Sequence, residues 1–337
     1  MKHHCVVVSE HGGPDVLRVV EEDLPEPLAG EVRVKVLAAG VSAFDLMHRR
    51  SRSLPGTPRV PFIPGLDIVG IVDELGEEVS VLQTGETVAG WTFAKNGGGY
   101  AETICLPAND LVPVPSGLDP AEAVCLVVNY ITAHGAMHRA ATIQRGERIL
   151  VHGAAGGVGS ALLDLGKMAE LEMYGTASDY NHDVVSAFGA TPIDYRADDF
   201  VEYVRDHTNG GVDAVFDPIG GVRQVRRSYR TLRKGGRLVW LGVTGISERG
   251  MVPMVFTMLT QTVLRLIPDG KRAPSAPDLR KHPAWYRETL TELLDALAAG
   301  KLEPVVAERI PLFEAARAHE LLEHGGYAGK VVLVTSV

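Results

Sequence analysis

A glycine-rich turn between a short apolar run and a helical pattern is the feature of this 337-residue chain that most restricts its fold. Residues 149–152 have the apolar character of a strand buried in a parallel sheet. The glycine-rich turn that follows reads Gly153-Ala154-Ala155-Gly156-Gly157-Val158-Gly159. Small residues let the backbone approach a pyrophosphate, and a helix N-terminus offers free N–H groups and partial positive charge. The pattern predicts a dinucleotide site; the alternative is a turn with a purely structural role.

Strands and helices alternate after this turn. The pattern predicts a helix to about residue 171, strands over 172–176, 191–194, 214–217 and 237–241, and helices over 183–188, 199–207 and 223–232. Beyond residue 242 it predicts helices over 251–267, 285–299 and 313–323, a loop over 268–283 and a strand over 330–335. Repeated β-α units of this length indicate a doubly wound parallel sheet with right-handed crossovers.

The first part of the chain has a different pattern. Residues 32–36 alternate valine with arginine or lysine, which is typical of a half-buried strand, and further strands are predicted at 68–72 and 86–91. Frequent prolines exclude long helices here. A helix is predicted to begin at Pro120, directly after Asp119. We therefore expect an all-β or nearly all-β N-terminal domain, followed by an α/β domain.

Charge and composition exclude several classes of protein. The net charge is −9 and there is no concentrated basic run, so nucleic-acid binding is not expected. The most apolar stretch, 251–268, is interrupted by Pro253, Gln261 and Arg265, so no membrane span is expected, and the N-terminus lacks the features of a signal peptide. The three cysteines lie far apart, which favours a reducing compartment. We expect a soluble, cytoplasmic protein.

The end of the strand after the turn indicates which cofactor is bound. An acidic residue at this point accepts hydrogen bonds from the ribose 2′-hydroxyl of NAD and repels the 2′-phosphate of NADP. Ser178 stands here, and its small hydroxyl leaves room for a phosphate. Asp179 comes next, and it either reaches the ribose or caps the following turn. The sequence therefore favours NADPH and leaves NADH open.

Several further segments carry a family resemblance. They are Ala38-Ala39-Gly40-Val41-Ser42-Ala43-Phe44-Asp45, Pro64-Gly65-Leu66-Asp67-Ile68-Val69-Gly70, Gly98-Gly99-Tyr100-Ala101-Glu102 and Gly146-Glu147-Arg148-Ile149-Leu150 before the glycine-rich turn. Over essentially its whole length the chain resembles the zinc-independent quinone oxidoreductase branch of the medium-chain dehydrogenase/reductase superfamily. The resemblance implies an α/β fold with a GroES-like β-barrel domain over 1–120, a Rossmann NADP-binding domain over 121–260 and a C-terminal segment over 261–337 that returns to the first domain. It also implies a homodimer.

The same comparison of motifs predicts that no metal is bound. Zinc-dependent relatives carry a catalytic cysteine near positions 38–42 and a Gly-His-Glu where this chain has Gly65-Leu66-Asp67. His134 and His138 are spaced for one face of a helix, but the sequence offers no further ligands beside them, and zinc needs about four.

The resemblance also implies roles for individual residues near the nicotinamide. Thr132 lies in the intact family segment Asn129-Tyr130-Ile131-Thr132-Ala133, and Ser42 stands where relatives carry asparagine. Tyr130 either protonates a reduced enolate or packs under the ring while water supplies the proton. The predicted catalytic residues are thus Tyr130, Ser42 and Thr132. The predicted cofactor-binding residues are Gly153, Ala154, Ala155, Gly156, Gly157, Val158, Gly159, Ser178, Tyr195, Thr132, Gly242 and Val243.

Three functions are compatible with these residues. Without zinc, the expected reaction is hydride transfer from NADPH to a small-molecule quinone or to the activated C=C bond of an α,β-unsaturated carbonyl. The first alternative is an enoyl-thioester reductase of a polyketide-type pathway, which would need a basic docking surface such as Lys271, Arg272, Arg280 and Lys281. The second is a non-catalytic relative that binds NADPH.

Overall fold

The computed structural model describes residues 1–50, 57–92, 97–242 and 251–335. The chain divides into two compact units. The first comprises Met1–Ile131, Leu279–Gly325 and the chain from Lys330 onward, and the second comprises Thr132–Asp278 and Gly326–Gly329. These divisions fall later along the chain than the expected boundaries at residues 120 and 260, and the assignment of domains to those ranges stays a prediction.

Strands and helices have the following bounds. The strands are β1 Lys2–Val8, β2 Leu17–Asp23, β3 Glu31–Gly40, β4 Asp67–Leu75, β5 Thr87–Trp91, β6 Thr103–Pro107, β7 Leu111–Pro113, β8 Arg148–His152, β9 Glu172–Ala177, β10 Thr191–Asp194, β11 Val212–Asp217, β12 Leu232–Trp240, β13 Val306–Pro311 and β14 Lys330–Val334. The helices are α1 Ala43–Arg50, α2 Pro120–Cys125, α3 Ile131–His134, α4 Gly157–Met168, α5 His182–Ala187, α6 Phe200–His207, α7 Val222–Arg230, α8 Met251–Arg265, α9 Pro283–Ala298 and α10 Ala315–His324.

The second unit contains a five-stranded sheet in the order β10-β9-β8-β11-β12, and every pairing in it is parallel. This confirms the predicted doubly wound sheet. The strand order reverses between β8 and β11, so the crevice outside their carboxyl ends is the place where ligands bind in open sheets of this kind. The loop predicted after α8 is also present, and residues 272 and 275 pair with the outer edge of β12.

The first unit is built on a mainly antiparallel seven-stranded sheet. Its order is β13-β14-β3-β4-β5-β7, with β6 paired to β3, and β1 and β2 form a separate hairpin-like pair. The last strand, β14, lies beside β3, so the C-terminal strand completes the sheet that the N-terminal part began. The valines of 32–36 lie within β3 and are buried, as the period-two pattern predicts.

A continuous helical run over 120–141 follows this sheet in the chain. It begins as predicted, because the Asp119 carboxylate accepts a hydrogen bond from the Ala121 N–H at 2.8 Å and Pro120 occupies the first turn. Two stretches, Leu126–Tyr130 and Gly135–Ala141, have π-helical geometry, which the sequence pattern did not predict. Such wide turns occur often at functional sites, and these two flank Thr132.

Helix α8 exposes apolar side chains and buries polar ones, which is the reverse of an ordinary amphipathic helix. Its buried face carries Thr257, Gln261 and Leu264. The outward face carries five apolar side chains, each more than half exposed: Val252, Phe256, Leu259, Val263 and, just past the helix end, Leu266. Across the described part of the chain, no helix has the length and apolar character to span a membrane.

Candidate cofactor-binding site

The glycine-rich turn joins β8 to α4. Gly153 has φ +58°, a left-handed conformation that favours glycine. A Cβ atom at Gly159 would overlap the Gly153 carbonyl oxygen and the Ala154 backbone, so only glycine allows α4 to pack this close to the strand. No side chain caps the N-terminus of α4 at Gly156. The first N–H groups of a helix have no partner within it, so this turn fits a pyrophosphate.

The alanines of the turn hold it in place through their backbones. The Ala154 N–H donates to the Thr176 carbonyl at 3.0 Å, and the Ala155 carbonyl accepts from the Gly329 N–H at 2.7 Å. Both alanine side chains are buried. Gly175 is a second position where a Cβ would crowd the turn, because it would approach the Ala154 methyl group to 2.7 Å. The sequence analysis missed Gly175 because one strand glycine is no signal by itself.

The carboxyl ends of β9 and β10 bring a polar cluster together. The Ser178 hydroxyl donates to the Tyr195 phenol oxygen at 3.3 Å. The Arg196 guanidinium carbon lies 5.6 Å from the ring centroids of both Tyr180 and Tyr195. The structure therefore joins the two predicted residues, Ser178 and Tyr195, and adds a cation that the sequence analysis missed. Its only sequence signal is its position directly after Tyr195.

Asp179, the acidic residue that left NADH open, forms a hydrogen bond with the backbone of the next residue. Its carboxylate accepts from the Tyr180 N–H at 2.8 Å. The two residues that follow Asp179 are uncharged; they are Tyr180 and Asn181. The cation beside this turn is Arg196, which follows β10. The Asn181 amide donates to the Tyr327 carbonyl at 3.3 Å. The segment 326–329 thus borders the site, although no motif in the sequence pointed to it.

Two loops follow β11 and β12 on the other side of the crevice. The Asp217 carboxylate accepts from the N–H groups of Ile219 and Gly220 at 2.9 and 3.0 Å. A Cβ at Gly242 would lie 3.0 Å from the Pro218 carbonyl oxygen, so the two loops are in contact. Gly242 is therefore placed at the expected edge of the sheet. Val243, the other residue predicted there, lies outside the described residues.

The predicted catalytic residues fall in different units. Ser42 and Tyr130 belong to the first unit, whereas Thr132 and the cofactor candidates belong to the second. Tyr130 is 2% exposed, and Thr132 is half-buried on α3. The Ser42 hydroxyl donates to the Asp45 carboxylate at 2.6 Å, so its one proton is already used inside the first unit. The catalytic roles of these three residues stay predictions.

Asp45 is a buried carboxylate that stabilises the loop before α1. It accepts from the Ser42 N–H at 2.8 Å and from the Gly65 N–H at 2.9 Å. Helix α1 itself was not predicted, because the surrounding prolines obscured so short an element. Burial raises the pKa of Asp45 from 3.8 to about 6, despite these hydrogen bonds.

The raised pKa of Asp45 predicts how stability depends on pH. The folded state holds this proton more tightly than the unfolded chain, so stability falls as pH rises from about 4 to about 6. We expect Asp45→Asn to remove this pH dependence. Between about pH 4 and about pH 6, the free energy of unfolding of the variant should therefore rise relative to that of the wild type. Urea unfolding at several pH values measures this. The exposed control Asp15→Asn should follow the wild-type curve, and parallel curves for Asp45→Asn and the wild type would contradict the assignment.

The residues considered as zinc ligands in the sequence take part in other interactions. Asp67, 0% exposed, forms an ion pair with Lys330 on β14 at 2.7 Å. His134 and His138 bring their ring centroids to 4.3 Å, and burial lowers the pKa of His134 to about 4. Among the residues that the structure describes, no three histidine, cysteine or acidic side chains are grouped so that they could bind a metal ion.

Comparisons with known proteins agree with this architecture. Residues 28–116 match the family model "Alcohol dehydrogenase GroES-like domain", and residues 188–333 match "Zinc-binding dehydrogenase". The quinone oxidoreductase of Lama guanicoe is 31% identical over 335 residues, covering 98% of this chain and 97% of the relative. A phenolphthiocerol/phthiocerol polyketide synthase polypeptide of Mycobacterium tuberculosis is 30% identical over 332 residues, covering 97% of this chain and 14% of the synthase polypeptide.

Solved structures show the same similarity. The quinone oxidoreductase of Coxiella burnetii superposes with a TM-score of 0.86 at 27% identity, over the whole of both chains. A mycobacterial protein solved in complex with NADPH superposes with a TM-score of 0.84 at 29% identity, covering 98% of this chain and 99% of that one. The expected combination of a GroES-like domain and a Rossmann sheet is thereby confirmed.

Proposed function

The chain belongs to the zinc-independent quinone oxidoreductase-like branch of the medium-chain dehydrogenase/reductase superfamily, and from this premise we propose that it is an NADPH-dependent reductase of quinones or α,β-unsaturated carbonyl compounds. Membership makes it an oxidoreductase that uses a nicotinamide cofactor. The choice of NADPH and the class of acceptor are the proposal. The glycine-rich turn at the crevice between β8 and β11, with an uncapped helix N-terminus beside it, supports dinucleotide binding. The observation that favours NADPH is the cluster of Ser178, Tyr195 and Arg196.

NADPH, when bound, supplies the hydride. The N–H groups at the start of α4 would hold its pyrophosphate, as the fit of Gly153 and Gly159 supports. Tyr130 would provide the proton for a reduced enolate, with water as the other source. Ser42 would serve as an acceptor of hydrogen bonds, since its own proton is donated to Asp45.

The acceptor is identified by following nicotinamide absorbance with NADPH and then NADH against quinones, short enals and enoyl thioesters. Turnover of quinones or enals with NADPH supports the proposal. Turnover of enoyl thioesters alone would favour a biosynthetic enoyl reductase, which the similarity to a polyketide synthase segment makes the second candidate. NADPH binding without any turnover would favour the non-catalytic alternative. One member of the basic surface expected for thioester docking, Lys271, is turned inward and donates to the Tyr229 carbonyl at 3.1 Å.

The preference for NADPH predicts a selective effect of Arg196. Its guanidinium lies against Tyr195 and Tyr180, and the Tyr195 phenol accepts from the Ser178 hydroxyl, so this cluster can bind a 2′-phosphate. We expect Arg196→Gln to raise the Kd for NADPH roughly tenfold and to leave the Kd for NADH unchanged, since only NADPH carries that phosphate. Calorimetric titration measures both constants. Arg205→Gln, at an exposed arginine on α6, is the matched control, and equal weakening of both cofactors by Arg196→Gln would contradict the assignment.

We also propose that the protein forms a homodimer through α8. The outward residues Val252, Phe256, Leu259 and Val263 recur at alternating spacings of four and three, the pattern with which one helix packs along another. No charged side chain interrupts this face before Arg265, so two copies can meet without repulsion. We expect Leu259→Glu to convert a dimer to a monomer in light scattering, whereas the mid-helix control Thr262→Glu keeps more of the dimer. A wild-type monomer would contradict the proposal.

A further inference from the structure

A buried chain of hydrogen bonds runs beneath the proposed dinucleotide crevice. The Thr176 hydroxyl lies 3.0 Å from His152 Nδ1, and His152 Nε2 lies 3.0 Å from the Ser228 hydroxyl. The Ser228 hydroxyl donates to Asp217 Oδ2 at 3.1 Å. His152 is 1% exposed, Ser228 and Asp217 are 0% exposed, and Thr176 is 3% exposed. The chain thus crosses from β9 through β8 to α7 and ends on β11.

The donors and acceptors of this chain can be assigned from the Asp217 end. The Asp217 carboxylate accepts hydrogen bonds at both oxygens. Oδ1 accepts from the N–H groups of Ile219 and Gly220, and Oδ2 faces Ser228. The Ser228 proton therefore goes to Oδ2; the Gln224 carbonyl at 2.9 Å is a weaker acceptor than a carboxylate. His152 Nε2–H then donates to Ser228. A neutral ring protonated at Nε2 leaves Nδ1 to accept the Thr176 proton, and we assign this tautomer to His152. Burial also lowers the pKa of His152, which is consistent with the neutral ring.

Each end of the hydrogen-bond chain contacts a loop that borders the crevice. At one end, the Gly153 N–H lies 3.4 Å from the Thr176 hydroxyl, at the start of the glycine-rich turn. At the other end, Asp217 holds the N–H groups of Ile219 and Gly220. These two loops adjoin, since a Cβ at Gly153 would lie 3.4 Å from the Ile219 side chain. The hydrogen-bond chain therefore connects the two loops that border the crevice.

We propose that His152 and Ser228 are positioning residues, which set dinucleotide affinity by holding the glycine-rich turn and the loop after β11 in a fixed relative arrangement. This inference rests on the proposed function, because it presupposes that the crevice binds a nicotinamide dinucleotide. Neither side chain reaches the surface, so each acts through the backbone N–H groups of Gly153, Ile219 and Gly220 rather than by touching the ligand.

The test compares Ser228→Ala with a matched variant at the other end of the sheet. Thr208 is likewise buried, and its hydroxyl accepts from the Gly211 N–H at 3.0 Å, before the start of β11. Ser228→Ala and Thr208→Val each remove one buried hydroxyl, so both should lower Tm by a few degrees. We expect only Ser228→Ala to raise the Kd for NADPH and NADH, about tenfold, in titrations well below Tm.

Several outcomes separate this inference from the proposed function. An unchanged Kd in Ser228→Ala, or an equal increase of Kd in Thr208→Val, would overturn the positioning role. The proposed function would remain supported in either case, provided that the wild type binds NADPH. Failure of the wild type to bind either dinucleotide would overturn both. If Ser228→Ala does not fold, Ser228→Cys replaces it, since a thiol is a weaker donor of similar size, and an increase in Kd is again expected.

Discussion

Gly157→Asp is expected to weaken dinucleotide binding at least a hundredfold while leaving the fold intact. Gly157 is the first residue of α4 and does not adopt a left-handed conformation, so an L-residue is compatible with its backbone. A carboxylate at a helix N-terminus stabilises the helix, because it faces the positive end of the macrodipole. The same carboxylate would occupy the place of the pyrophosphate and repel it. A like charge in such a site costs several kcal/mol, and a hundredfold loss of affinity corresponds to about 2.7 kcal/mol.

Gly157→Asn is the matched control for this prediction. Asparagine has the size of aspartate without its charge, so it reports the steric part of the effect alone. Titration with NADPH gives the affinities and thermal unfolding gives Tm. We expect Tm to be equal or higher in Gly157→Asp than in the wild type, with a clearly larger loss of affinity than in Gly157→Asn. Undiminished binding in Gly157→Asp would show that the pyrophosphate does not lie at this helix N-terminus.

Lys330→Met is expected to lower the free energy of unfolding by about 3–5 kcal/mol, because it leaves the charge of Asp67 buried without a partner. Both side chains of this pair are almost completely buried, and they lie 2.7 Å apart. Gly40 makes room for the lysine, since a Cβ there would overlap its side chain. The pair connects β14, the C-terminal strand, to β4 through the middle of the sheet. Denaturant unfolding measures the effect.

Two further variants test the same prediction. Lys330→Met combined with Asp67→Leu removes both charges, and we expect it to recover most of the lost stability, because a buried ion pair is worth little more than apolar packing. Lys2→Met breaks an ion pair of similar length with Asp23, but both partners are exposed. It should change the free energy of unfolding by less than about 1 kcal/mol. Equal effects of Lys330→Met and Lys2→Met would contradict the importance of burial.

The sequence predicted the second unit more completely than the first. Every strand and helix expected between residues 148 and 240 is present, because buried parallel strands and amphipathic helices have distinct periodicities. In the first unit, α1 was missed because prolines surround it. The π-helical stretches beside Tyr130 were missed because their geometry depends on how the helix packs, for which residue spacing carries no signal.

The sequence by itself determined the glycine-rich turn and the parallel sheet, because turn sterics and β-α periodicity act between residues that are close along the chain. The family was indicated by the resemblance of short motifs, which are likewise local segments of the chain. Only the tertiary structure decided which distant side chains meet. Strand order brings Arg196 beside Tyr180, and it places His152 between Thr176 and Ser228. These contacts depend on the order and register of packed elements, and the free energy that selects them comes from burial across the whole fold rather than from any local segment.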